Sequence, residues 1–282
     1  MSRFDTEQPG ERPSDPSVEG RFADRVVMRV PSQHNPKLQT VLERVNADDE
    51  LYALWTASNV NAIERLGMTD HGPVHVKIVT NIAVRMLRLL VDGGVEPSVV
   101  GTYRMGHDDA EVVVALAALL HDVGMSIHRD DHESFSLFIA REKLPSLLDG
   151  IYGLRERAFV TSEILHAIIS HRAGGRPLTV EAGVVRIADA LDMAKGRSRI
   201  PFEAGSLSIH SVSAAAIEAV GIEAGEDRPI RLCIEMSNSA GVFQLDQLFR
   251  GKLKGSGLEE YIEVEAELEG ETEKRLVRGF RF

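Results

Sequence analysis

The chain has 282 residues, a formal net charge of −11 and one cysteine, Cys233. The acidic charge disfavours the broad basic face that duplex nucleic acid requires, and a single cysteine excludes both an intramolecular disulfide and a cysteine-rich zinc site. The sequence contains no secretory signal and no apolar run near the roughly 18 residues of a membrane-spanning helix. We therefore expect a cytoplasmic protein that acts on small partners, not on duplex nucleic acid or membranes.

The N-terminal part of the chain divides into an arm and two helices. Residues 1–24 combine prolines with glycine, serine and acidic residues and have no periodic apolar pattern, which predicts a disordered arm. Apolar residues then recur at helical spacing over residues 36–66. This pattern predicts two helices that are separated near Asp48 and Asp49.

The next predicted helix carries a pair of histidines near its start. It is expected to begin near residues 69–70, where either side chain can act as a cap, and to end at the two glycines 93–94. His71 and His75 are four residues apart, so in a helix they share one face. Such a pair can be a capping or core feature as well as a metal site, and its interpretation depends on other ligands.

A polar connection, predicted over residues 96–109, leads to an apolar helix that ends in the adjacent residues His121 and Asp122. An imidazole and a carboxylate side by side can bind a divalent cation, and mixed nitrogen and oxygen ligation suits iron, manganese, cobalt or zinc. An ionised Asp122 at the end of a buried helix needs a cation or a strong donor, because its desolvation is costly. The alternative is that Asp122 caps the next turn and His121 bonds a backbone carbonyl.

Two further predicted helices bring more histidines. A helix within residues 130–149 carries His132 near its start, and a helix from Arg155 to Ser170 has His166 close to its end, followed by His171. His166 and His171 are five residues apart and do not share one face well. We expect one of the two to point into a site and the other to lie on the glycine-containing loop that follows.

The helix that begins at Thr179 has two aspartates, Asp189 and Asp192, within an otherwise apolar surface. A carboxylate in such a position requires a partner. We expect Asp189 to be a metal ligand, and Asp192 to pair with Lys195 or Arg197 at the end of the helix.

The pattern changes beyond Pro201 to short alternating or β-branched stretches. The prediction is a mainly α protein, with a helical domain over residues 25–200 and a small α+β domain over residues 201–282. One helix is predicted from Ala240 to Lys254. The predicted strands are Leu207–Val212, Ala216–Ile222, Ile230–Met236, Tyr261–Leu268 and, as a further candidate, Arg275–Phe282.

Three separated pieces of the sequence together resemble the signature of the HD superfamily of metal-dependent phosphohydrolases. That signature is a histidine, an adjacent His-Asp pair and a final aspartate on a later helix, all within a mainly helical bundle. The resemblance extends over residues 65–200. The matching pieces are His71-Gly-Pro-Val-His75, Leu-Leu-His121-Asp122-Val-Gly and Ile-Ala-Asp189-Ala-Leu-Asp192.

The resemblance implies an HD-type helical bundle and a role for each ligand. Asp122 would bridge two divalent ions, and His132 with one of His166 and His171 resembles the second-metal ligands of the two-metal branches. Manganese or iron is preferred, with magnesium, cobalt, zinc or nickel as alternatives. The first metal would be bound by His75, His121, Asp122 and Asp189.

The sequence departs from one branch of this superfamily. Met125 stands where the cyclic-di-GMP phosphodiesterases have a catalytic lysine, and their Gly-Tyr-Pro signature is absent, which disfavours cyclic-di-GMP as the substrate. His71 is similar in position to the general-acid histidine of the mammalian-type cyclic nucleotide phosphodiesterases. His71 and His128 are candidate proton donors, and Asp122 completes the predicted catalytic set. The candidate phosphate-binding residues are Arg172, Arg176, Lys195, Arg197 and Arg199.

The leading prediction is a metal-dependent phosphohydrolase that cleaves a phosphoester with a metal-activated water. The expected substrate is a nucleotide or a related small phosphorylated molecule. Two alternatives stay open: a di-iron oxygenase with the same ligands, and a non-catalytic module for ligand binding or assembly. A homodimer is expected from the general frequency of such assemblies.

Overall fold

The computed structural model describes residues 25–172, 174–193, 215–268 and 280–281, which form a mainly helical protein with a small C-terminal sheet. The predicted fold class is therefore confirmed. Several predictions concern residues outside the described ranges: the arm 1–24, the cations Lys195, Arg197 and Arg199, the strand Leu207–Val212 and the domain boundary near residue 200.

Within the described residues, eight α-helices precede the sheet. Helix α5 is central, because all its residues from Asp109 to Leu120 are buried and it packs against α1, α3, α7 and α8. No helix of the described residues is long and apolar enough to span a membrane. The helices are α1 (Pro36–Ala47), α2 (Asp49–Asn59), α3 (Pro73–Asp92), α4 (Ser98–Tyr103), α5 (His107–Leu120), α6 (His132–Leu147), α7 (Leu154–Ser170) and α8 (Val180–Leu191).

Two predicted helix starts follow from local capping. The Asp48 side chain accepts a hydrogen bond from the Leu51 amide at 2.8 Å, which starts α2 at the predicted break. Likewise, the Thr179 hydroxyl accepts from the Ala182 amide at 3.2 Å at the start of α8. Both signals are contained in a few consecutive residues, which is why the sequence reveals them.

Helix α3 begins later than predicted, at Pro73, with Gly72 as its N-cap. Asp70 does not cap the helix, because its side chain accepts a hydrogen bond from the Gly72 amide at 2.7 Å and closes a tight turn ahead of it. His71 therefore lies in this turn and not on the helical face of His75.

The prediction of a polar connection over residues 96–109 is wrong, because this stretch contains α4 and the start of α5. Glu181 of the distant helix α8 accepts hydrogen bonds from the amides of Ser98 at 3.2 Å and Val99 at 3.0 Å. These amides at the start of α4 are thus satisfied by a residue that is far away in the sequence.

The C-terminal strands form a sheet of order β1-β2-β3-β4. The pairs β1–β2 and β3–β4 are antiparallel and β2–β3 is parallel. The strands are β1 (Ile217–Ala224), β2 (Ile230–Met236), β3 (Ile262–Leu268) and β4 (Phe280–Arg281).

The parallel pair β2–β3 requires a crossover, and a helical segment supplies it. The predicted single helix from Ala240 to Lys254 is in fact three consecutive pieces: α9 (Gly241–Phe243), a π-helical turn (Gln244–Phe249) and α10 (Arg250–Leu253). The π-helical turn and α10 pack against α8, while β1 and β2 contact α3.

Candidate metal centre

Helix ends and helix faces of the bundle bring six polar side chains into one cluster. Five of the six side chains are buried, and the most exposed member is Asp189, with 16% of its side chain exposed. The members are His75 of α3, His121 and Asp122 at the end of α5, His132 at the start of α6, His171 just after α7, and Asp189 of α8.

The first group of donors comprises His75, His121, Asp122 and Asp189. The Nε2 atoms of His75 and His121 are 3.3 Å apart, and each is 3.3 Å from Asp122 Oδ2. Asp189 Oδ1 is 3.6 Å from His75 Nε2 and 3.8 Å from His121 Nε2. Ligands of a tetrahedrally bound ion lie about 3.4 Å apart when each bond is about 2.1 Å, so the spacing of these donors fits one metal ion.

The second group comprises Asp122, His132 and His171. Asp122 Oδ1 is 3.2 Å from His132 Nε2 and 3.5 Å from His171 Nε2. The other oxygen of Asp122, Oδ2, faces the first group. The two oxygens of this one carboxylate therefore face two different sets of imidazoles.

The imidazoles are held so that their Nε2 atoms face the cluster. A backbone carbonyl can only accept a hydrogen bond, so His121 and His171 carry a proton on Nδ1 and, when neutral, a lone pair on Nε2. Converging lone pairs and carboxylates repel one another unless a proton or a metal ion lies between them. The outer partners of Nδ1 are Ala118 O for His121 at 2.8 Å, Ile168 O for His171 at 2.6 Å and Asp192 Oδ2 for His75 at 2.6 Å.

The pKa values of the cluster also indicate a need for positive charge. Burial lowers the pKa of His121, but Asp122 and Asp189 outweigh this effect and raise it to about 10. Burial raises the pKa of Asp122, whereas the charge of His121 and hydrogen bonds with the imidazoles hold it well below its usual range. The donor set thus favours a cation at its centre, and a divalent metal ion fits this requirement.

Gly124 and Ser136 bring the start of α6 against the His-Asp pair. A Cβ atom at Gly124 would lie 2.0 Å from His132 O, so only glycine permits this approach. The Ser136 hydroxyl accepts from the Gly124 amide at 2.8 Å and donates to His121 O at 2.7 Å. These contacts place His132 beside Asp122.

Other predicted site residues lie outside the two groups. His166 Nε2 accepts a hydrogen bond from the Leu178 amide at 3.0 Å, so the structure brings His171 and not His166 into the cluster. His128 is exposed, and its Nδ1 accepts from the Asp130 amide at 3.0 Å.

Of the remaining candidates, one is buried beside His75 and two are exposed. His71 is buried, and its ring centroid is 5.6 Å from that of His75. Arg172 and Arg176 are exposed on the loop after α7.

The sequence does not predict that Asp192 and Lys252 contact the cluster. Asp192 accepts from His75, whereas its predicted partners Lys195 and Arg197 lie outside the described residues. Lys252 Nζ is 3.1 Å from Asp189 Oδ2, although the two residues are separated by 63 positions. Local sequence has no signal for a contact of such long range.

The profile of the HD domain family matches residues 74–194. A protein from Methanocaldococcus jannaschii, named uncharacterized protein MJ1020, is 44% identical over 214 residues, which are 76% of this chain and 83% of the relative. The range matched by the family profile contains every residue of both donor groups, whereas Lys252 lies outside it.

Proposed function

This chain belongs to the HD family of metal-dependent hydrolases, and we propose that it is a two-metal phosphohydrolase that cleaves a phosphoester in a nucleotide or a related small molecule. One observation carries the proposal. Asp122 presents Oδ2 to His75 and His121 and Oδ1 to His132 and His171. A carboxylate shared by two donor groups is suited to two ions held close together, the arrangement of many phosphoester-cleaving enzymes.

The donor set of imidazole nitrogens and carboxylate oxygens suits manganese or iron. Bound there, divalent ions would supply Lewis-acid chemistry, lowering the pKa of water and neutralising charge on phosphoryl oxygens. The protein fixes the orientation of the ligand side chains. Ala118 O and Ile168 O orient the rings of His121 and His171, so little reorganisation is needed when a substrate arrives.

We assign His71 to protonation of the leaving oxygen. Its Nδ1 lies 2.7 Å from Thr69 O, which fixes the ring, and an imidazole can hold a proton near neutral pH. Substrate would enter on the side of Asp189, the most exposed member of the cluster. Arg172 and Arg176, exposed on the loop after α7, are the candidates that would hold its phosphate groups.

The test loads the purified protein with Mn²⁺ or Fe²⁺ and measures phosphate release and diester cleavage on a panel of phosphomonoesters and phosphodiesters. The key variant is Asp122→Asn, with Asp149→Asn as the control because the Asp149 side chain is 79% exposed. We expect the wild-type protein and the control to bind metal and hydrolyse the same substrate, and Asp122→Asn to lose both properties.

Three results would contradict the proposal. A wild-type protein that neither retains metal nor cleaves any member of the panel would not be a metal-dependent phosphohydrolase. Oxygen consumption by the iron-loaded protein, without phosphoester cleavage, would favour the di-iron oxygenase. A binding or assembly module would instead keep its function in Asp122→Asn.

A further inference from the structure

Lys252 reaches the metal cluster from the C-terminal part of the chain. It lies on α10, outside the range 74–194 that the HD family profile matches. Its Nζ is 3.1 Å from Asp189 Oδ2 and also donates a hydrogen bond to His171 O. Its side chain is 20% exposed, and its amine contacts one residue of each donor group, Asp189 and His171.

The two oxygens of Asp189 have different neighbours. Oδ1 faces the Nε2 atoms of His75 and His121, at 3.6 and 3.8 Å, while Oδ2 accepts the hydrogen bond from Lys252. A carboxylate can rotate about its bond to Cβ, and a donor fixed on one oxygen restrains that rotation. Lys252 thereby keeps Oδ1 directed at the first donor group.

One face of α8 is occupied by the segment that carries Lys252, residues 250–256. Gly183, Arg186 and Asp189 are spaced by three residues and therefore lie on the same side of the helix. A Cβ atom at Gly183 would lie 2.5 Å from Ser256 O, so the absence of a side chain lets the segment approach. Arg186 binds backbone carbonyls of the segment, and Asp189 binds the Lys252 amine.

Arg186 joins the segment that carries Lys252 to the loop after His171. It is buried, with 3% exposure, and a buried guanidinium is costly unless its donors are satisfied. Carbonyl oxygens of the segment that carries Lys252, of the end of α7 and of the loop after it accept hydrogen bonds from the guanidinium. These bonds also fix the backbone of Lys252. The acceptors are Lys252 O at 2.8 Å, Gly251 O at 3.3 Å, Ser170 O at 3.3 Å, Arg172 O at 2.7 Å and Gly175 O at 3.0 Å.

We propose that Lys252 is a positioning residue of the metal centre, which fixes Asp189 so that Oδ1 faces the first metal position. The C-terminal segment, seated on Gly183 and Arg186, thereby completes a site whose ligands all lie in the helical bundle. The inference rests on the metal site proposed above and extends it to a part of the chain outside the family match.

Two rival interpretations predict different results. If Lys252 acted only through its charge, its removal would strengthen metal binding, because a cation repels a cation. If the contact were incidental, its removal would have no effect on metal binding. If Lys252 positions Asp189, its removal should weaken metal binding even though a repulsive charge is lost.

The experiment measures the affinity of the full-length protein for Mn²⁺ in Lys252→Met, with Lys254→Met as the matched control. Lys254 is exposed on the same segment, so the control removes the same charge without touching the cluster. We expect Lys252→Met to bind Mn²⁺ about 10- to 100-fold more weakly than wild type, the usual effect of losing a hydrogen-bond partner of a metal ligand. Lys254→Met should match wild type, and Lys252→Arg should recover most of the affinity.

A second readout is the visible absorption spectrum of the Co²⁺-loaded protein, which responds to the geometry of the ligands. It should change in Lys252→Met and not in Lys254→Met. Circular dichroism checks folding, and if Lys252→Met does not fold, Lys252→Gln removes the charge with a smaller loss of hydrogen bonding.

A Mn²⁺ affinity equal to or tighter than that of the control would overturn the inference alone. Failure of the wild-type protein to bind any divalent metal would overturn both this inference and the proposed function.

Discussion

The imidazole of His75 illustrates how a single side chain of the centre is prepared for metal binding. Its Nδ1 is 2.6 Å from Asp192 Oδ2, and its Nε2 faces His121, Asp122 and Asp189. A carboxylate can only accept when ionised, so it holds the proton on Nδ1 and leaves Nε2 free to ligate.

Asp192→Asn is predicted to weaken Mn²⁺ binding by about 10- to 100-fold. The amide can donate to Nδ1 of His75, and this would stabilise the tautomer with a proton on Nε2, which cannot bind a metal. Isothermal titration gives the affinity, and the ¹⁵N shifts of the histidine rings give the tautomer. An affinity equal to that of the exposed control Asp149→Asn would show that Asp192 has no such role.

For single residues, the sequence shows which side chains can donate to a metal better than it shows which residues those side chains contact. The order of His75, His121, Asp122 and Asp189 is enough to resemble the HD signature, and these residues do converge. The sequence offers His166 and His171 as alternatives, because residues five apart do not share a helical face and the sequence does not show which face meets the cluster. The sequence predicts neighbouring cations as the partners of Asp192, whereas its contact with His75 depends on the crossing of α3 and α8.

Glu111 on the central helix α5 joins the helices around it. Its carboxylate accepts hydrogen bonds from Arg88 Nε at 2.7 Å and Asn35 Nδ2 at 2.9 Å, and lies 3.0 Å from His34 Nε2. Burial raises the pKa of Glu111, but these partners outweigh it and hold the pKa below its usual value. The ionised form therefore stabilises the folded protein.

Because the folded-state pKa of Glu111 is lowered, its contribution is complete above the unfolded-state pKa of about 4.3 and is lost as the pH falls through the lower folded-state value. Glu111→Gln is predicted to cost about 1.5–3 kcal/mol of unfolding free energy at pH 7, and this difference from wild type should shrink below pH 4. Urea unfolding from pH 7 to pH 3 measures it. The exposed control Glu142→Gln should differ little from wild type at any pH, and a pH-independent deficit in Glu111→Gln would contradict this account.

At the scale of elements, helices with local signals are predictable and helices with distant partners are not. Asp48 and Thr179 cap α2 and α8 from within the sequence that they start. The sequence does not predict helix α4, because its first amides are satisfied by Glu181 of the distant helix α8. The apolar spacing of the crossover segment predicts a regular helix and does not reveal the π-helical turn at Gln244–Phe249.

For the whole molecule, the predicted membership of the HD family is confirmed, and so is the mainly helical fold with a small α+β part. The range matched by the family profile ends at residue 194, before the strands begin. The contact between Lys252 and Asp189 shows that the part of the chain beyond this range reaches the candidate metal centre. Such a contact depends on how α10 packs on α8, which no local pattern encodes.

We propose that one carboxylate, Asp122, lies between two metal positions. Anomalous diffraction from crystals of the Mn²⁺- or Fe²⁺-loaded protein tests it most directly, because it gives both the number and the element of the ions. We predict two anomalous peaks about 3.5–4 Å apart, one beside His75 and His121 and the other beside His132 and His171, with Asp122 between them. A single peak, or none at these residues, would contradict the two-metal account.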